Sequence, residues 1–282
     1  MQVKLINAKG EVMLLPEEMA VEGWPSEMDL PGTKIQGRHG RIIDMPIASL
    51  NSRTIRVSGT MAGVDKDDAD AIREMVVGFV HRANPLKLYR HEGATRYINV
   101  YKKSVDHSYK AGYFGGRLFT LNITFEAADP FFYSDIQQVV HAITASPASW
   151  MVTQPGTVER QQPLVYLKAM GQLVKPSLTS TEGILAMLND TVPAGMALVW
   201  NGETREAFIT DGDLAYYLYR WGLTTEPGQA PTVETNVVSK MNNAWLLYGW
   251  TLVSGTNSIQ YADDPTSTHQ AEVTVAWCPR YY

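Results

Sequence analysis

The sequence predicts a mainly β protein of two domains, the first of which also contains one α-helix. Three observations support this prediction. A chain of 282 residues exceeds the usual size of a single domain. Short runs of β-prone residues recur between turn signals in both halves of the chain. One segment near residue 75 has the clear periodicity of an amphipathic helix.

The composition indicates folded domains and a boundary near the middle of the chain. Hydrophobic residues make up 45% and charged residues 19%, which excludes a disordered chain. Residues 1–140 contain 17 basic and 17 acidic side chains, whereas residues 141–282 contain 7 and 12. Six of the seven tryptophans also lie in the second half. The two halves therefore differ in charge balance and in tryptophan content.

Charge and cysteine content exclude several classes of function. The net charge is −5 without any basic run, which argues against binding nucleic acid through its phosphates. Low charge together with 14 tyrosines is typical of surfaces that contact other proteins. Cys278 is the only cysteine, so the chain cannot build a disulfide framework or a cysteine metal site by itself. Without a signal sequence or a long apolar stretch, we expect cytoplasmic synthesis and no membrane insertion.

The first domain is predicted to begin with a β-hairpin. Residues 3–6 and 12–15 are β-prone and flank a turn that contains Gly10. Residues 16–50 are interrupted by proline and glycine, which favours a loop-rich segment with one or two edge strands. Residues 54–61 then alternate polar and apolar side chains, as a half-buried strand does.

An amphipathic helix is predicted over about residues 67–83. Acidic side chains at its start complement the positive end of a helix dipole, and Asn84-Pro85 would end it. Three β-prone runs follow at 86–89, 97–101 and 118–126. The apolar stripe of the helix has the spacing i, i+3, i+4, i+7 and i+8 and comprises Ile72, Met75, Val76, Phe79 and Val80.

The second half is predicted to fold as a β-sandwich or jelly roll. Residues 141–162 have no clear period and are predicted to be a linker, so the domains are expected at 1–140 and 163–282. After the linker, short β-prone runs recur at the spacing of a sandwich. These runs are 164–167, 183–188, 197–200, 206–210, 244–252, 258–261 and 272–277.

No catalytic or cofactor motif is visible in the sequence. There is no nucleophile elbow, no zinc-binding helix motif, and no histidine pair at the spacing of metal ligands. We therefore expect a protein that is not an enzyme and has no cofactor. A group of aromatic residues has two open interpretations, stacking on sugar rings or packing in a core or interface. The group comprises Trp200, Tyr216, Tyr217, Tyr219 and Trp221.

An ordered series in the first half resembles the distal tail proteins, or Dit family, of long-tailed bacteriophages. It consists of the strand 53–59, the helix at 67–83, the strands 97–101 and 119–125, and a closing motif. The closing motif is the most specific part and comprises Asp129, Pro130, Phe131, Phe132 and Tyr133. In the second half the similarity to the family's final strands is looser.

The resemblance implies a structural role in a phage tail. It implies an N-terminal belt domain, a β-sandwich with one helix that assembles into a six-fold ring, and a peripheral galectin-like or carbohydrate-module-like β-sandwich. Such a ring joins the tail tube protein to a tail-tip hub or tail-associated protein and its adsorption apparatus, with a lumen through which DNA passes. The expected location is the virion tail tip. A receptor-binding protein or a cell-surface sugar is expected as a further partner. The alternative is a module that binds or hydrolyses carbohydrate on the bacterial surface.

Overall fold

The computed structural model describes residues 2–16, 19–24, 32–34, 41–43, 52–82, 85–110, 116–129 and 131–281. The chain divides into two compact units, Met1–Tyr133 and Ser134–Tyr281. This division lies seven residues before the boundary predicted at residue 140. Strands dominate both units, as the sequence predicts.

The first unit is built from antiparallel strands, whose order across the sheet is β2-β1-β7-β8-β9-β6-β3, with β10 also paired to β8. The hairpin predicted at the start of the chain is present as β1 and β2. In the loop-rich segment the structure describes three short strands, β3 to β5. The bounds are β1 Lys4–Ile6, β2 Val12–Leu14, β3 Ala20–Glu22, β4 Gly32–Lys34, β5 Arg41–Ile43, β6 Arg53–Ala62, β7 Leu86–Tyr89, β8 Arg96–Tyr109, β9 Leu118–Ala127 and β10 Phe132–Ser134.

Strand β8 connects two parts of this sheet. Its first half pairs with β7, from Tyr97 to Val100, and its second half pairs with β9, from Tyr101 to Tyr109. A β-bulge between Lys102 and Ser104 shifts the register at this change of partner. Bulges of this kind bend a strand and let it pass from one sheet to another. The sequence predicts only the first third of β8.

Strand β9 and the helix supply much of the first core. Alternate residues of β9 are fully buried, as the alternating pattern of 118–126 predicts. Helix α1 (Lys66–Arg82) packs against β8 and β9 and buries Val76 and Val80. Met75, which the predicted stripe includes, is 59% exposed. The buried face is rotated toward Ala69, which is too small to stand out in a hydrophobic pattern.

The second unit contains a six-stranded sheet in the order β11-β24-β14-β19-β20-β21 and a four-stranded sheet in the order β12-β23-β16-β17. The strands are β11 Gln137–Ile143, β12 Ala148–Gln154, β13 Arg160–Gln161, β14 Leu164–Ala169, β15 Leu173–Val174, β16 Ser177–Thr179, β17 Leu185–Met187, β18 Thr191–Val192, β19 Ala197–Asn201, β20 Glu206–Thr210, β21 Glu234–Asn236, β22 Leu252–Val253, β23 Gly255–Ala262, β24 Ala271–Trp277 and β25 Arg280–Tyr281. The helices are α2 Leu214–Arg220 and α3 Asn243–Tyr248, with a 3₁₀ turn at Val238–Lys240.

The two sheets of this unit enclose one core, as a β-sandwich does. Trp150 from β12 and Ile259 from β23 meet Val165 from β14 and Val273 from β24 in a single buried cluster. Four further tryptophans belong to the same cluster, namely Trp200, Trp245, Trp250 and Trp277. Tryptophan is therefore concentrated in the second half of the sequence because five tryptophans lie in the core of the second unit.

Two predictions for the second half are wrong. The predicted linker 141–162 is mostly strand, because β11 pairs with β24 over seven residues and β12 pairs with β23 over seven. Along β12 the exposed Ser149, Met151 and Thr153 alternate with the buried Trp150 and Val152, so the strand has one solvated face. The predicted strand 244–252 is mostly the helix α3, which ends at Gly249 with a φ of 73°.

Candidate functional site

The motif that carries the family resemblance ends the first unit. Asp129 accepts a hydrogen bond from the backbone N–H of Phe131 at 3.2 Å and another from the hydroxyl of Tyr133. Pro130 lies outside the described residues. Phe132 and Tyr133 are buried at 7% and 8% exposure, so they contribute to packing and leave little surface for a ligand.

Aromatic contacts fix this motif to the rest of the first unit. The ring of Tyr133 stacks on Tyr97 with centroids 5.8 Å apart, and Tyr97 contacts Tyr89 at 5.3 Å. The guanidinium of Arg53 lies 5.0 Å from the centroid of Phe132, where a cation interacts favourably with the ring. Burial lowers the pKa of Arg53. The described aromatic residues of the motif therefore pack within the first unit.

Four of the five aromatic residues proposed to stack on sugars belong to α2 or directly follow it. Asp213 caps this helix by accepting from the N–H of Tyr216 at 2.7 Å. Tyr217 is fully buried on the outer face of the six-stranded sheet with Phe208, and burial raises its pKa to about 12. Trp221 donates to Glu206 at 2.5 Å, and Tyr219 is 46% exposed.

Trp200, the fifth of these residues, lies on the opposite face of the sheet. Adjacent residues of a strand point to opposite faces, so Val199 contributes to the cluster under α2 whereas Trp200 is buried between the two sheets. Trp200 is 1% exposed and Tyr217 is 0% exposed. Neither ring is accessible to a sugar, and the five residues do not form one platform. Packing is the interpretation that the structure supports for both.

The first unit exposes an apolar edge strand. Among the described residues β2 pairs only with β1, at one end of the sheet, and β3 pairs only with β6 at the other end. On β2 the side chains of Val12 and Leu14 are 57% and 40% exposed, while Met13 between them is buried. An exposed apolar edge strand is a site for association with another chain.

The second unit contains a polar cleft of about 310 Å³. Its residues come from β13 and the residue after it, the turn before β20, the end of α3, the segment before β22, and β25. Tyr248 stands at the rim with 68% of its surface exposed. The lining residues are Arg160, Gln162, Glu203, Tyr248, Thr251 and Arg280.

Ion pairs organise the charged side chains of this cleft. Arg160 contacts Oε1 of Glu182 through Nε at 2.9 Å and Nη2 at 2.7 Å. The hydroxyl of Thr251 donates to the other oxygen of Glu182 at 2.7 Å. Arg280 donates from Nη2 to Oε1 of Glu203 at 2.6 Å. Each arginine of the cleft therefore has a glutamate partner, and the positive and negative charges balance.

Sequence reasoning missed the cleft because no local pattern marks it. Arg160 and Gln162 fall at the end of the segment predicted as a linker, and Tyr248 falls in a run predicted as a strand. The residues span 120 positions of the chain and meet only when the sandwich forms. One usable signal is Gly249, which follows an apolar run and so indicates a helix end.

No metal or membrane site is evident in the described ranges. Within them no group of three or more His, Cys, Asp or Glu side chains is placed to hold a metal ion. The helices seen there are too short or too polar to span a lipid bilayer.

Comparison with known proteins identifies the fold. No family model matches the sequence, and no curated protein matches it either. Among solved structures, the Dit protein of phage SPP1 matches with a TM-score of 0.65 at 13% identity, covering 99% of each chain. That protein is described as a paradigm of the hub adsorption apparatus in phages that infect Gram-positive bacteria. Two structures of the activated phage p2 baseplate, with strontium and with calcium, match with TM-scores of 0.47 and 0.46 at 11% and 12% identity. They cover 98% of this chain and 97% of the other chain.

Proposed function

We propose that this chain, which has the fold of the SPP1 Dit protein, is a structural hub of a phage tail tip. The observation that carries the proposal is the correspondence over 99% of both chains, which includes both units and not one common module. The order of strands, helix and Asp129 motif in the first unit agrees with this role. In this role the protein is a component of the virion and has no catalytic activity.

In the finer form of the proposal, six copies form a ring through their first units. A closed ring needs two different complementary surfaces on each subunit. The strands β2 and β3, at opposite ends of one sheet, supply two such surfaces. The apolar side chains of Val12 and Leu14 would be buried where β2 meets a neighbour.

The ring would join the tail tube protein on one side to a tail-tip hub or tail-associated protein on the other. DNA would pass through its lumen during infection. Equal numbers of basic and acidic residues in 1–140 suit this role, because a strongly basic wall would retain the phosphate backbone.

Mass photometry of the purified full chain tests the ring. We expect a discrete species at six times the chain mass of 31.4 kDa. Val12→Lys should reduce this species, because a charge would be buried at the contact. Met170→Lys is the control, since Met170 is similarly exposed but lies in the second unit. Monomers or two-fold dimers in solution, together with virions whose tail tips do not bind an antibody against the chain, would contradict the proposal.

A further inference from the structure

We propose that the outward face of helix α1 in the first unit binds the same face of a second copy, with the two helices antiparallel. Five residues at spacings of three or four form this outward face, so they lie on one side of the helix. They are Asp67, Ala71, Met75, Gly78 and Arg82. The proposal goes beyond the six-fold ring, which is assigned to the edge strands β2 and β3, and does not depend on it.

The outward face is open to solvent. Val76 and Val80 are buried on the side of α1 that packs against β8 and β9. The five outward residues lie on the other side of the helix, and all except Gly78 are exposed. Met75 has 59% of its surface exposed. Its unbranched and adaptable side chain suits the centre of a contact between two chains.

Gly78 is a residue that the packing of its own chain does not require. Glycine weakens the interior of a helix relative to alanine. A β-carbon at Gly78 would meet no atom of the described residues within 4 Å, so a larger side chain would fit there. Together with Ala71, it leaves room for a second helix to approach to about 8 Å, the short end of the usual range.

The order of the five residues makes the face complementary to itself. In an antiparallel pair of helices related by a two-fold axis, each residue meets the one that lies equally far beyond the axis. With the axis just before Met75, Asp67 meets Arg82 and Ala71 meets Gly78. Met75 itself meets the same residue of the second copy. Acid therefore lies opposite base, small opposite small, and apolar opposite apolar.

The charges at the two ends of the face select this orientation. In the described part of the chain, no ion pair or side-chain hydrogen bond occupies Asp67 or Arg82. A parallel pair would bring each of these charges against its own copy, which costs energy. Glu74 lies at the edge of the face, where Arg73 contacts its carboxylate at 3.5 Å. This neighbour compensates the charge of Glu74 where two copies of it approach.

The contact is small, which decides how it has to be measured. Helix α1 has 17 residues and is therefore about 25 Å long. A strip of that length and about 10 Å wide buries about 500 Å² over both chains. Stable interfaces bury at least about 1,200 Å², so the contact between two free chains is transient. It persists where several copies are held side by side. Disulfide trapping detects a transient contact of this kind.

Oxidation of the purified full chain that carries Met75→Cys tests the proposal. Cys278, the only cysteine of the original chain, is buried. We expect a disulfide-linked dimer to form about tenfold faster than in Met170→Cys, because the two-fold contact raises the local concentration of the thiol. Met170 is a matched control, since it is also 59% exposed. Gly78→Leu, added to Met75→Cys, should slow the crosslink about tenfold by separating the helices. Leucine is a better helix former than glycine, so α1 stays folded in this variant.

Exchange of charges separates specific pairing from random collision. Asp67→Arg or Arg82→Asp, each added to Met75→Cys, should slow the crosslink about fivefold, and the two together should restore it. The proposal is overturned if Met75→Cys crosslinks no faster than Met170→Cys, if Gly78→Leu leaves the rate unchanged, or if the double exchange does not restore it. The species of six copies, measured separately by mass, should be the same in Gly78→Leu and in the original chain. A missing ring and a missing helix contact are therefore distinguishable results.

Discussion

The hydroxyl of Tyr133 donates a hydrogen bond to Oδ2 of Asp129, four residues earlier in the chain. Oδ1 of the same carboxylate accepts from the backbone of Phe131. One acidic side chain thus fixes the turn between β9 and β10, at the residue where the first unit ends. Because β10 also pairs with β8, this turn closes the sheet of the first unit.

Asp129→Ala should destabilise the first unit by about 1.5–3 kcal/mol, the usual value of hydrogen bonds to a charged group. Hydrogen exchange of the full chain, followed by mass spectrometry, should show protection of residues 86–109 falling by about tenfold or more. Asp135→Ala removes an exposed carboxylate near the motif and should leave protection unchanged. Equal effects of the two variants would contradict a structural role for Asp129.

Val80→Asp should destabilise the first unit by several kcal/mol, whereas Met75→Asp should change its stability by less than about 0.5 kcal/mol. Both positions lie within α1, and because methionine is a better helix former than valine, any loss of helix propensity is larger for Met75→Asp. Val80 is fully buried and Met75 is 59% exposed. Urea denaturation of the full chain measures both changes. If Met75→Asp were as harmful as Val80→Asp, the buried face assigned to α1 would be wrong.

The stability of the second unit should fall as the pH rises from 10 to 12. Burial raises the pKa of Tyr217 to about 12 in the folded chain, whereas the unfolded chain loses this proton near the ordinary value of 10. The contribution of the neutral phenol is therefore complete below pH 10 and is lost as the pH approaches 12. Thermal unfolding at a series of pH values should show a shallower decline for Tyr217→Phe. An unchanged decline would contradict the assignment.

A truncated chain of residues 134–281 should unfold in one cooperative thermal transition, because its two sheets and their core are complete. A chain of residues 163–281, which starts where the sequence predicts the second domain, lacks β11 and β12. It would expose the backbone edges of β23 and β24 with which these strands pair. We expect this shorter chain to be insoluble. A soluble, cooperative 163–281 would mean that β11 and β12 are dispensable.

Local patterns predict those elements whose burial is regular along the chain. Strand β9 alternates without interruption, because the structure buries every second side chain from Phe119 to Ala127. The bounds of α1 agree with the prediction to within one residue because acidic residues begin the helix and Asn84-Pro85 follows it. The hairpin β1–β2 is confirmed for a similar reason, since its turn is short and contains Gly10.

Prediction fails where tertiary contacts decide the structure. A short apolar run such as 244–248 suits a strand or a helix equally well, and packing of Trp245 into the core selects the helix. Strand β12 has one exposed face that includes Ser149 and Thr153, so the composition of its segment resembles that of a linker although it pairs with β23. The cleft is harder still to predict, because Arg160 and Tyr248 become neighbours only through the fold.

The bulge in β8 determines which side chains of the strand's second half share a face of the sheet with the buried side chains of β9. Because side chains alternate along a strand, one added residue reverses the orientation of all those that follow. If Lys103 entered the ladder, Ser104, Asp106 and Ser108 would therefore move to the face that carries the buried side chains of β9, while the pairing of 97–100 with β7 stayed intact. Insertions and deletions in related chains should consequently be rare at this position and more frequent between β8 and β9. An alignment of such chains should show neither insertions nor deletions at residue 103.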